Sequence, residues 1–200
     1  MKKQVVIIHG GDSFDTYEKY IESLRAEEID LKDFFRKGWK KTLADRLGAN
    51  FKVIAPQMPN KTNAKYLEWK IWFDKIVPFI RDGVILVGHS LGGIFLAKYL
   101  AENKFPKKIR ATMIVASPYT EISDRDIADF ILPKNLKQFE KQGGEIFLYY
   151  STDDTVVPFV NMKGYEKALP KAHTCVFKDR GHFSQEEFPK IVEDIKKMNA

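Results

Sequence analysis

The sequence predicts a doubly wound α/β fold, in which helices cover both faces of a mostly parallel sheet of about six strands. Short apolar, β-branched runs recur along the chain, and they are continuous rather than alternating, which is typical of strands buried on both faces. Segments with helical periodicity separate these runs, which favours right-handed crossovers and parallel pairing. We expect strands at 5–8, 51–54, 84–87, 111–116, 146–150 and 174–177.

The helices are predicted from apolar residues at helical spacing and from their end signals. The expected segments are 15–24, 35–47, 64–79, a helix running from behind residue 90 to 100, 135–142 and 185–198. The second is expected to stop at Gly48, since glycine is common just past a helix end. The stretch 118–134 is short, so any lid formed there is small.

Length and composition predict one globular domain. The chain has 200 residues, of which 44% are hydrophobic and 30% charged, and such a chain buries a substantial core. We expect a single domain over 1–200. The stretch 12–37 is longer than a usual strand-to-helix connection, so it is interpreted as an insert, either a flap beside the sheet edge or a plain surface helix.

Charge and hydropathy exclude several classes of partner. The net charge of +6 comes from lysines scattered among acidic residues, without interleaved aromatic residues, so we expect no nucleic-acid binding. No apolar run approaches the roughly 20 residues that span a bilayer. The first residues enter a strand rather than a signal peptide, and Cys175 stands alone. We therefore expect a cytoplasmic protein; the oligomeric state stays open.

A serine motif follows the third predicted strand. The pentapeptide 88–92 reads Gly-His-Ser-Leu-Gly directly after the apolar run 84–87. This is the pattern G-x-S-x-G, a sharp turn between a strand and a helix with the serine at its apex. Glycines flank Ser90 because the turn is tight, and the helix behind it adds a positive dipole end. The motif predicts an activated serine nucleophile.

Two further residues fit a triad with Ser90. Asp154 and His182 follow it in the order Ser, Asp, His, and each comes just after a predicted strand. Strand ends on one side of a parallel sheet meet at one edge, where ligands bind. We prefer Asp154 as the acid because Asp-x-x-Val-Pro places its carboxylate at a turn. Asp153 is expected to cap or brace that turn. Asp179 is a third candidate, but it is too close in sequence to the histidine to be the first choice.

Backbone amides are needed to stabilise the negative charge that develops on a carbonyl oxygen. Leu91 follows the nucleophile, and the loop after the first strand contains a Gly-Gly pair. We expect an oxyanion hole made by the amides of Gly11 and Leu91, with Asp12 as the second choice for the first donor. The alternative is that the glycines only form a tight turn. His9 and His89 are expected to pack or to bond to the backbone.

No cofactor and no metal are expected. The four histidines lack the H-E-x-x-H spacing, and a single cysteine does not build a structural zinc site. The lysine and the following Ser or Thr of a phosphate-binding loop are absent after the first strand.

Together, the segments 9–11, 88–93, 154–158 and 181–183 resemble the α/β-hydrolase superfamily over nearly the whole chain. Within it, the compact size resembles the small serine hydrolases of the retinoblastoma-binding-protein type. The resemblance implies a Ser-His-Asp triad on a mostly parallel sheet and activity on small esters. The chain departs from the superfamily in its insert at 12–37 and in lacking the usual leading antiparallel hairpin.

The sequence therefore predicts a serine esterase that cleaves a small-molecule carboxylic ester through an acyl-enzyme. Ser90 is the nucleophile, His182 the base and Asp154 the group that orients it. Two alternatives stay open. One is a thioesterase or acyltransferase that uses the same triad. The other is a non-catalytic interaction protein on a hydrolase fold, since fold alone does not decide function.

Overall fold

Six parallel strands form the centre of the protein. The computed structural model describes residues 1–35, 37–120 and 127–198. The sheet has the order β2-β1-β3-β4-β5-β6, and every neighbouring pair is parallel. The strands are β1 (Lys3–Ile8), β2 (Phe51–Ile54), β3 (Val84–His89), β4 (Ile109–Val115), β5 (Glu145–Ser151) and β6 (His173–Phe177). The predicted fold class and all six predicted strands are confirmed.

Helices connect the strands. Those in the described ranges are α1 (Tyr17–Ala26), α2 (Leu31–Phe35), α3 (Trp39–Leu47), α4 (Tyr66–Ile76), α5 (Leu91–Glu102), α6 (Lys137–Gln142), α7 (Asn161–Ala168) and α8 (Pro189–Lys197). Short 3₁₀ turns lie at Val77–Phe79 and Ala128–Phe130. Within these ranges, no helix combines the length and the apolar character needed to cross a bilayer.

Each face of the sheet has its own hydrophobic core, as a doubly wound fold requires. On one face, α4 and α5 bring Trp69 and Phe73 against Phe95, with ring centroids 5.6 Å apart in both pairs. On the other face, α3 and α8 bury Trp39 and Ile191 against the strands. Edge-to-face rings of this kind add to the free energy gained by burying apolar area.

The structure differs from the sequence prediction at several helices, and the predicted helix over 185–198 begins only at Pro189. Helix α7 was not predicted, because Gly164 interrupts an otherwise helical pattern. Glycine is needed at this position because a Cβ there would lie 2.3 Å from the Tyr119 ring. The predicted helix over 35–47 is divided into α2 and α3. The first helix begins after Thr16, whose side chain accepts from the Lys19 amide. The predicted small lid at 118–134 falls partly outside the described residues.

Close backbone contacts explain the glycines of the pentapeptide 88–92. A Cβ on Gly92 would lie 2.3 Å from the carbonyl oxygen of Ile8, and one on Gly88 would lie 2.4 Å from the carbonyl oxygen of Gly92. Real Cβ atoms do not approach backbone so closely, so α5 packs against β1 and β3 only because side chains are missing here.

Substitution of Gly92 by alanine is expected to destabilise the fold by about 1–3 kcal/mol, because α5 must move away from β1. The free energy of unfolding in urea measures this effect. Gly38→Ala is the control, since a Cβ there meets its nearest atom, the carbonyl oxygen of Ser184, at 3.7 Å. Equal stability of the two variants would contradict this account of the turn.

Candidate active site

Ser90 lies at the sharp turn between β3 and α5. Its backbone has φ 55° and ψ −125°, a conformation that non-glycine residues rarely adopt. Hydrogen bonds hold the turn, because the Ser90 amide donates to the Val115 carbonyl at 2.9 Å and the Gly93 amide donates to the Ser90 carbonyl at 2.8 Å. The hydrogen bonds to the neighbouring strand and to the start of the helix thus hold Ser90 in this strained conformation.

His182 and Asp154 form a hydrogen-bonded pair. The Nδ1 atom of His182 lies 2.9 Å from Oδ2 of Asp154, and the Asp154 side chain is fully buried. Its second oxygen, Oδ1, accepts from the backbone amides of Val156 and Val157 at 2.8 and 2.9 Å. Because both carboxylate oxygens are bonded, the carboxylate has one orientation, and it directs the imidazole so that Nε2 is on the far side of the ring.

The other two acids of the region have different environments. Asp153 accepts from the Ser151 hydroxyl at 2.5 Å and from the Gly181 amide at 2.9 Å through the same oxygen. These hydrogen bonds lower the pKa of Asp153, and the bond from Ser151 has the largest effect. Asp179 is exposed. Asp153 therefore braces the loop that leads to His182, in agreement with the role predicted for it.

A small pocket of about 90 Å³ joins Ser90 to the two predicted oxyanion donors, since both Gly11 and Leu91 line it. Leu91 is the first residue of α5, where amides lack acceptors within the helix. The Asp12 amide, the second choice from the sequence, donates instead to the Lys61 carbonyl at 2.8 Å. Because this bond occupies the Asp12 amide, Gly11 is favoured as the first oxyanion donor.

His9 supports the loop that contains Gly11. Its Nε2 accepts from the Met58 amide at 2.8 Å, so the proton is on Nδ1, which donates to the Gly10 carbonyl at 2.6 Å. Burial lowers the pKa of His9. The expectation that His9 bonds to the backbone is confirmed, and the neutral ring stabilises the first-strand loop.

His89 contacts the loop of His182 in a similar way. Its Nε2 donates to the His182 carbonyl at 2.9 Å, while its Nδ1 accepts from the Lys40 ammonium at 3.1 Å. Burial holds the pKa of His89 well below its ordinary value, with smaller contributions from the Lys40 and His182 charges. His89 is therefore a neutral link between Lys40 and the backbone of His182.

A cavity of about 770 Å³ opens beside Ser90 and His182. Its other lining residues come from the ends of β1 and β2, the first turns of α3 and neighbouring loops, and they include Gly10, Lys40, Lys41, Pro56, Lys61 and Val156. The sequence analysis did not identify Lys40 or Lys61 as lining residues. No local pattern marks them, because their place in the cavity depends on how distant segments pack.

The sheet order and the serine turn define an α/β-hydrolase fold. The family model described as "Serine hydrolase" matches residues 32–195, and the chain belongs to this family. It is therefore a hydrolase enzyme. Among characterised proteins, it is similar to the serine hydrolase RBBP9 of Rattus norvegicus, with 24% identity over 170 residues that cover 80% of this chain and 84% of the rat protein.

Solved structures share this fold over nearly the full chain. The ydeN gene product of B. subtilis superimposes with a TM-score of 0.78 at 18% identity, over 99% of both chains. A thioesterase domain from the curacin biosynthetic pathway gives 0.65 at 13% identity, over 98% of this chain and 91% of that domain. A carboxylesterase of Nitrososphaera gargenis gives 0.59 at 17%, over 98% and 89%. At these identities the likeness concerns the fold.

Proposed function

We propose that this serine hydrolase cleaves a small carboxylic ester through a covalent acyl-enzyme. Ser90 is the nucleophile, His182 the general base and Asp154 the residue that orients the imidazole. The amides of Gly11 and Leu91 form the oxyanion hole. The proposal needs no cofactor, because a serine hydroxyl becomes reactive when a neighbouring base accepts its proton.

One observation carries the proposal: the 2.9 Å contact between His182 Nδ1 and an Asp154 carboxylate whose other oxygen is held by two amides. A carboxylate in this position fixes the imidazole tautomer with the proton on Nδ1 and stabilises the imidazolium that forms during the reaction. Nε2 is then left as a base, and His182 lines the same cavity as Ser90.

In the first half of the reaction, the Ser90 oxygen attacks the ester carbonyl while His182 Nε2 takes the hydroxyl proton. The carbonyl π electrons move onto oxygen, and the resulting negative charge accepts hydrogen bonds from the Gly11 and Leu91 amides. When the tetrahedral intermediate collapses, the bond to the alcohol breaks. His182 gives its proton to the departing alkoxide, and the acyl group stays on Ser90.

In the second half, water replaces the alcohol. His182 takes a proton from water as its oxygen attacks the acyl carbon, and the same two amides stabilise the second intermediate. Collapse releases the carboxylic acid and returns the proton to Ser90. The small pocket of Gly11 and Leu91 thus serves both halves.

Pre-steady-state hydrolysis of p-nitrophenyl acetate tests this proposal. If the acyl-enzyme forms faster than it hydrolyses, a burst of p-nitrophenol equal to the enzyme concentration precedes steady turnover. Product analysis in the presence of an alcohol or thiol acceptor distinguishes hydrolysis from acyl transfer. Comparison of kcat/KM for a p-nitrophenyl ester and an acyl thioester distinguishes an esterase from a thioesterase. Absence of any acyl release from esters of graded acyl length would contradict the proposal.

A further inference from the structure

Lys40 places a positive charge in the wall of the cavity beside Ser90. Its ammonium donates to His89 Nδ1 at 3.1 Å and lies 5.4 Å from the centre of the Trp39 ring. Among the described residues, the recorded hydrogen-bond partner of this ammonium is the His89 imidazole. Burial lowers the pKa of Lys40 to about 8, so the ammonium is still mostly protonated at neutral pH, with a neutral imidazole as its polar partner.

This position is unfavourable for the helix that contains it. Lys40 and Lys41 lie in the first turn of α3, which has no acidic residue, and Gly38 supplies no side-chain cap. The N-terminal end of a helix is the positive end of its dipole, so it is stabilised by anions and destabilised by cations. A bound anion would relieve this repulsion and would also compensate the partly buried ammonium.

Lysines outnumber acidic residues among the described residues that line the cavity. Lys40, Lys41 and Lys61 line it, and Asp12 is the one acidic side chain among its described lining residues. Cavities with low-dielectric walls and one dominant charge attract ligands of the opposite charge. Ser90 lines the same cavity, so a single molecule can place an anionic group near these lysines while it presents an ester to the serine.

Contacts around Gly10 show that the lysine and the nucleophile are separated by a short path. A Cβ on Gly10 would lie 2.9 Å from Ser90 Cβ and 3.5 Å from His89 Nδ1, the atom that Lys40 contacts. These contacts limit the separation of Ser90 Cβ and the Lys40 ammonium to a length that a short dicarboxylic acyl chain can cover.

We propose that Lys40 binds a carboxylate at the far end of the substrate's acyl chain, so that the preferred substrates are monoesters of short dicarboxylic acids. This inference rests on the proposed ester hydrolysis and specifies its substrate class. Lys41 and Lys61, both exposed, add long-range attraction at the mouth of the cavity. A charge-assisted hydrogen bond from the Lys40 ammonium supplies the specific contact.

The test compares two p-nitrophenyl esters of equal chain length, the glutarate monoester and the uncharged pentanoate. Wild type is expected to show the higher kcat/KM with the glutarate ester. Lys40→Gln keeps a donor for His89 and removes the charge, and we expect it to lower the ratio of the two kcat/KM values about 10-fold or more. Lys40→Arg should keep most of the ratio, and Lys141→Gln, an exposed lysine on α6, should leave it unchanged.

An unchanged ratio in Lys40→Gln would overturn the proposal, whether the variant loses no activity or loses it equally with both esters. An equal loss would mean that the lysine acts only by positioning His89 and His182. A binding measurement separates this failure from failure of the esterase. Glutarate alone should raise the melting temperature of wild type and raise that of Lys40→Gln much less. Equal shifts would overturn the carboxylate site, whether or not either ester is hydrolysed.

Discussion

Replacement of Ser90 by alanine is expected to lower kcat for p-nitrophenyl acetate by about 10⁴-fold or more, because the residual rate then depends on the oxyanion hole and binding alone. The turn itself should survive. The bonds that hold it are backbone bonds to Val115 and Gly93, and alanine changes no backbone atom. Initial rates under substrate saturation measure the effect.

Two controls accompany this variant. Urea unfolding should show that Ser90→Ala keeps a stability within about 1 kcal/mol of wild type, since one hydroxyl is removed and no large cavity forms. Ser184→Ala, which removes an exposed hydroxyl near His182 in sequence, should keep the wild-type rate. A Ser90→Ala enzyme that retains more than about a tenth of wild-type kcat would remove the serine from the mechanism.

Replacement of Asp154 by asparagine is expected to lower kcat by about 10³–10⁴-fold, comparable to the loss described for other triads when the orienting acid becomes an amide. The buried side chain would keep its size, but asparagine can donate to His182 Nδ1. That stabilises the tautomer with its proton on Nε2, which is the nitrogen required as the base. The lost charge also leaves the imidazolium without its counterion.

The matched control is Asp179→Asn, an exposed acid three residues before the histidine, for which we expect a rate within about twofold of wild type, as for surface changes away from the site. Because Asp154 also accepts two amide hydrogen bonds, the stability of each variant is measured alongside its rate. A folded Asp154→Asn enzyme with a wild-type rate would identify another residue as the orienting group.

The fold could be predicted from sequence because its signals are local. A strand buried on both faces is a continuous apolar run, and all six such runs became strands in the sheet. Helix α7 was missed because Gly164 reads locally as a break. A glycine is required there because the ring of Tyr119, a residue far away in the chain, leaves no space for a Cβ. A local sequence pattern contains no information about that contact.

The candidate site residues could be proposed from sequence for the same reason, since the pentapeptide around Ser90 predicts its own turn geometry. The sequence placed Gly11 before Asp12 as the donor, but the physical reason for this order could not be read from it. That reason is the Lys61 carbonyl, which reaches the Asp12 amide from a distant loop. The positive charge of the cavity was not predicted for a similar reason, because Lys40 lines the cavity only when α3 packs on the sheet.

The central claim is that the Ser90 hydroxyl is activated by His182 and Asp154, and covalent labelling tests it most directly. A fluorophosphonate reacts with an activated serine and displaces fluoride, which adds one phosphonyl group to the protein. Intact-mass and peptide mass spectrometry should find one adduct per chain, on the peptide that contains Ser90, and none in Ser90→Ala. A folded wild-type protein that stays unlabelled, or an adduct on another residue, would contradict the account.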